Sequence, residues 1–140
     1  MKKEIYEKLN YLRTYVAALK GISRNARQKL QDDIILRGAL ERYLQLSLEI
    51  VLEIGEMIIA AEGFKKPTKH REVIEILGEH GILPKVFAKR FAPAAGLRNV
   101  LVHKYGELDF NIVYHHLKSE LGDFDVFAQH IARYLQKKNE

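Results

Sequence analysis

Between Ile34 and Ala60 the chain is apolar around most of the circumference that a helix would present. A helix of that kind is stable only when neighbours cover it on several sides or a second subunit does. Elsewhere apolar residues recur at intervals of three and four, and only three prolines and nine glycines interrupt 140 residues. No segment alternates as a half-buried strand does. The chain therefore reads as all-α, an antiparallel helical bundle of four to six helices around one long central helix, with residues 1–140 forming a single domain.

The periodicity sets the expected elements. A first helix runs from about Lys3 to Lys20 with Ile5, Leu9, Leu12, Val16 and Leu19 on one face, and Gly21 ends it. The central helix starts near Ser23 or Asp32 and closes at Gly63. Along it Arg42, Gln45, Glu49, Glu53 and Glu56 make a polar stripe, solvated at least at Glu53 and Glu56, and Arg37 is spaced to pair with Glu41. A third helix covers Lys69 to His80, with Val73, Ile76 and Leu77 inward. Pro84 sits in the first turn of a fourth, which carries Val86, Phe87 and Phe91 and breaks near Phe91 because Pro93 follows. A last helical stretch extends from about Phe110 to Lys137, and Gly122-Asp123 is the place where it could be interrupted.

Composition removes several functional classes. Without cysteine there is no disulfide framework, thiolate zinc site or cysteine nucleophile. No Gly-x-Gly or Gly-Lys-Ser/Thr run offers a phosphate loop, none of Ser23, Ser47 and Ser119 lies in a nucleophile elbow, and no His-Glu-x-x-His motif occurs. His115 and His116 are adjacent, the wrong spacing for two ligands on one helical face, while His70 and His80 fall at helix ends and His130 at a surface position. No metal and no cofactor is expected. The start is charged and amphipathic and no apolar run approaches a membrane span, so the expected setting is cytoplasmic, without membrane contact. The net charge of +5 favours polyanions. Its cations fall in short groups, Lys65-Lys66, Lys69 to Arg71, Lys85 to Arg90 and Lys137-Lys138, so a basic surface would have to be assembled by folding.

The most specific segment is Gly-Leu-Arg-Asn-Val-Leu-Val-His-Lys-Tyr-Gly at 96–106. An arginine, an amide, an imidazole and a phenol within eight residues can bind a phosphate and move protons beside it. The plainer role for Arg98 and His103 is to satisfy the negative end of a helix. If helix persists to His103, Asn99 and His103 share a face and Arg98 is turned about 140° away.

The pattern Arg98-Asn99-x-x-x-His103-x-Tyr105 resembles the Arg-x(4 to 6)-His signature of the HEPN superfamily, small all-helical proteins that include RNA-cleaving toxins, and in particular the form found in HepT-type toxins. The resemblance extends to the plan of the chain, with a long central helix holding Asp32-Asp33 and Arg37 ahead of the motif. It implies a metal-independent endoribonuclease whose partners are RNA and an MNT-type minimal nucleotidyltransferase antitoxin. The resemblance also implies His103 as general acid or base, Arg98 on the phosphate, Asn99 orienting either, and a homodimer that joins two motifs in one cleft. Tyr105 is then the position modified with adenylate, or else a packed aromatic with its hydroxyl at the surface. The alternative is a non-catalytic helical subunit that binds nucleotide or a nucleotidyltransferase. A basic nucleic-acid-binding protein ranks below both, since no helix-turn-helix is recognisable.

Overall fold

A computed structural model describes residues 1–103 and 109–138, with position 103 described by its backbone alone. Within them run α1 (Lys2–Ile22), α2 (Arg27–Asp32), α3 (Ile34–Glu62), α4 (His70–Glu79), α5 (Lys85–Phe91), α6 (Ala94–His103) and α7 (Phe110–Lys137). The expected fourth helix is the pair α5 and α6, broken at Pro93 as its sequence requires.

Three long helices set the frame. Lys8 bonds Glu53 at 2.8 Å and the Tyr15 ring lies tilted against Tyr43 at 5.9 Å, so α1 and α3 are antiparallel. Lys2 donates to the Lys138 carbonyl at 2.7 Å and Lys20 to Asp125 at 2.6 Å, so α1 is antiparallel to α7 as well. The Arg37 guanidinium lies 5.3 Å from the Phe110 ring centre, while Tyr134 donates to Glu62 at 2.8 Å. Thus α3 and α7 run the same way. The expected inward face of α1 is buried at Ile5, Leu12, Val16 and Leu19, and that of α7 at Phe124, Phe127, Ile131 and Leu135.

The central helix is covered by α1, α2, α4, α6 and α7. Asp33 starts it from outside: its carboxylate accepts from the Ile35 and Leu36 amides at 3.0 and 3.1 Å, two of the donors a helix start leaves open. Asp32 and Asp33 therefore precede the central helix, Asp32 closing α2. Gly63 ends α3 at φ 71°, a left-handed value that suits glycine. Cover fails at the first turn, where Ile34 and Ile35 are 84% and 79% exposed.

Close helix contacts build the α4–α5 corner. A Cβ at Gly55 would collide with Val73, and one at Gly78 with the Ala88 methyl, so glycine lets α4 lie tightly on α3 and α5 on α4. Phe91 carries α5 onto α7, edge-on to Phe124 at 5.9 Å.

Three further expectations need correction. Helix α1 continues through Gly21 to Ile22. Helix α7 passes Gly122 without a break, because burial of Leu117, Phe124 and Phe127 on either side outweighs the cost of one glycine, about 1 kcal/mol. Pro84 is the residue before α5 rather than within its first turn. Val86 is 79% exposed, since α5 is too short to bury more than the face of Phe87, Ala88 and Phe91.

Candidate active site

Pro93 ends α5 and frees the chain to begin α6 at Ala94 in a new direction. The new helix buries Ala94, Ala95 and Leu97, and its first residues meet Leu48, Val51 and Leu52 of α3. One turn on, Arg98 lies along the same neighbour, its Nε 3.5 Å from Glu49 Oε1. Helix α6 thus lies against the middle of α3.

Arg98 is held from two sides. Glu49 Oε1 also accepts a bond from Gln45 Nε2 at 3.0 Å, which fixes the carboxylate that faces the guanidinium. On the outer side Arg98 Nη1 donates to Asn99 Oδ1 at 3.3 Å. The Arg98 and Glu49 side chains are 29% and 25% exposed, a setting in which an ion pair contributes about 0–1 kcal/mol. The arrangement orients Arg98 more than it stabilises the fold. The guanidinium stays partly exposed, so a phosphate can still meet it.

The opposite side does not suit an anion. Glu49 and Glu53 line a groove of about 360 Å³ between α1 and α3, together with Glu4, Glu7, Lys8 and Tyr11. Carboxylates dominate it, so a phosphate would reach Arg98 over Asn99 rather than through this groove.

Helical spacing separates Arg98 from Asn99, with Arg98 turned to α3 and Asn99 exposed, yet the length of the arginine side chain brings the two groups back together. Helical backbone persists through position 103, which is the condition for positions 99 and 103 to share a face. The His103 side chain and all of Tyr105 lie outside the described residues.

Two pairs escaped the sequence reading. Glu49 was legible as part of a polar stripe, but only tertiary contact reveals Arg98 as its partner. His116 Nδ1 lies 2.8 Å from Glu120 Oε2, and Glu120 is only 6% exposed. The signal was a histidine four residues ahead of a glutamate on one helix. His130 is not a plain surface residue either: it is half-buried 6.3 Å from the Phe87 ring, and burial followed by the Arg133 charge holds its pKa below the ordinary value. His80 stacks on Phe64 at 3.6 Å between ring centres. Among the described residues no three histidine or carboxylate side chains converge as metal ligands would. No described helix is long and apolar enough to cross a membrane.

A family model described as ribonuclease HepT-like matches residues 12–131. The chain is 34% identical over 95 residues to the tRNA nuclease HepT of Aphanizomenon flos-aquae, an alignment that covers 68% of this chain and 65% of that protein. It is 30% identical over 98 residues to the mRNA nuclease HepT of Shewanella oneidensis, covering 70% and 69%. In fold it is similar to the tri-AMPylated Shewanella oneidensis HEPN toxin solved in complex with its MNT antitoxin, with a TM-score of 0.81, 22% identity, and 92% and 96% of the two chains covered.

Proposed function

The chain belongs to the HepT-like ribonuclease family, and from that membership we propose that it is an endoribonuclease toxin of a two-gene module, neutralised by a minimal nucleotidyltransferase antitoxin. The observation that carries the reading is the family match over residues 12–131, which contains the whole Arg98 to Tyr105 motif. Residues 1–140 act as one HEPN-like helical domain, and its substrate calls for a cytoplasmic setting.

The chemistry needs no cofactor. The RNA 2′-hydroxyl loses its proton to a base, its oxygen attacks the adjacent phosphorus, and the bond to the 5′-oxygen breaks as that oxygen takes up a proton. The products are a 2′,3′-cyclic phosphate and a 5′-hydroxyl. His103 is the proton-transfer group. Arg98, oriented by Glu49, meets the charge that builds on the phosphorane, and Asn99 positions Arg98 through its carbonyl while its amide faces the phosphate. One His103 per chain supplies one proton-transfer group, so a homodimer that joins two motifs supplies both acid and base. The exposed Ile34 and Ile35 offer apolar surface for such pairing. Adenylate on Tyr105 would add bulk and negative charge beside the motif and repel RNA.

The purified protein should cleave RNA in the presence of a metal chelator, and Arg98→Ala or His103→Ala should lower the rate by roughly a hundredfold or more. Retained cleavage in both variants ends the catalytic assignment. Dimers mixed from wild-type and His103→Ala subunits test the shared cleft: full activity per mixed dimer excludes it. A protein that binds the transferase tightly but cuts no RNA would be the non-catalytic subunit instead.

A further inference from the structure

Nearly all of the net charge sits in one fifth of the chain. Residues 65–92 hold seven lysines and arginines against three glutamates, +4 of the total +5. Folding brings three of them together, Arg71, Lys85 and Lys89, because the Gly78–Ala88 contact lays α5 directly on α4. Between the two helices lies a groove of about 510 Å³ lined by Arg71, Lys85 and Lys89, with Gly78, Ala88 and Ala92 as its small residues. Two carboxylates, Glu75 and Glu79, also reach it, and Arg71 neutralises Glu75 at 3.0 Å. Lys65, Lys66, Lys69, Lys85 and Lys89 are exposed, and none forms a salt bridge among the described residues.

We propose that this α4–α5 face holds the phosphates of RNA that extends beyond the cleaved bond, an inference that rests on the ribonuclease reading and adds a second contact region to it. A protein partner fits the face less well. Lysine is depleted from the cores of protein interfaces, and Val86 is the only large apolar side chain exposed among residues 65–92. Strongly positive, polar surfaces are the mark of nucleic-acid contact. Along the chain the face precedes the motif: α5 leads through Ala92 and Pro93 into α6, whose ten residues rise about 15 Å to position 103. RNA held there would be anchored away from the bond that breaks.

The test uses the full-length protein and a 2′-O-methyl RNA, which cannot be cleaved by 2′-hydroxyl attack, so that affinity is read independently of catalysis. Replacing Lys66, Lys69, Lys85 and Lys89 together by alanine should weaken binding by tenfold or more at moderate salt. The slope of log affinity against log salt should also flatten, by about 0.7 for each phosphate that the variant no longer neutralises. Replacing Lys3 and Lys137, exposed lysines outside the face, should change affinity less than twofold. Unchanged affinity in the fourfold variant, an equal weakening in the Lys3 and Lys137 control, or no RNA binding by the wild type would each overturn the proposal. Unchanged RNA affinity with abolished binding of the nucleotidyltransferase would assign the face to an acidic protein surface. The two readings fail separately: a protein that binds through the face but never cuts removes the nuclease, whereas one that cuts while the fourfold variant binds normally removes the face.

Discussion

Arg98 of α6 meets Glu49 of α3 at 3.5 Å, and Gln45 holds the same carboxylate oxygen at 3.0 Å. Glu49→Gln keeps the size of the side chain and removes the charge that aims the guanidinium. Fold stability should change by less than about 1 kcal/mol in chemical denaturation, because the pair is partly solvated. RNA affinity should hold or rise, since a competing anion is gone, while the single-turnover cleavage rate should fall roughly tenfold as Arg98 loses its orientation. An unchanged cleavage rate would remove Glu49 from the site.

Two glycines of α3 should respond in opposite senses. Gly55→Ala places a methyl against Val73, a short side chain with little room to turn, and should destabilise the fold by about 1–3 kcal/mol. Gly38 has open space where its Cβ would stand, so Gly38→Ala should add up to about 1 kcal/mol through helix propensity alone. Urea midpoints of the two variants check both. Equal shifts would mean that the α3–α4 contact is looser than the glycine geometry requires.

Acidification should weaken the fold in two stages. Burial, then the Arg133 charge, keeps the His130 pKa below its ordinary 6.5, and bonds from Lys138 and Tyr134 keep the Glu62 pKa below its ordinary 4.5. Both groups bind protons more readily in the unfolded chain. Their contributions are therefore complete above those ordinary values and lost as pH falls through the lower folded ones. Melting temperature plotted against pH should decline below about 6.5 and again below about 4.5. His130→Gln should flatten the first decline and leave the second, and Tyr134→Phe should shrink the second. An unaltered first decline in His130→Gln would contradict this account.

Asp33→Ala leaves the Ile35 and Leu36 amides without their acceptor and should cost about 1 kcal/mol, read from thermal or chemical unfolding. Asp33→Asn, which can still accept, should recover most of it. A variant as stable as the wild type would show that solvent satisfies this helix start equally well.

Periodicity gave the long helices because the buried faces of α1 and α7 are written as runs at three and four, Ile5 to Leu19 and Phe124 to Leu135. The end of α3 at Gly63 and the break at Pro93 were legible for a local reason, backbone geometry that few residues share. Asp33 was harder to place, since a carboxylate within a helix and one that caps it look alike until the direction of the chain is known. The partner of Arg98 was beyond the sequence altogether: which of Gln45, Glu49, Glu53 and Glu56 it meets depends on where α6 crosses α3. Burial of Glu120 beside His116 was hidden in the same way.

The excess of positive charge in residues 65–92 also acts before any contact is made. A molecule whose excess charge lies at one corner experiences a torque in the field of an approaching polyanion, so it turns that corner forward while the two are still separated by solvent. Encounters become oriented, and association becomes faster than random collision allows. That advantage fades as salt shortens the Debye length to about 8 Å near physiological ionic strength.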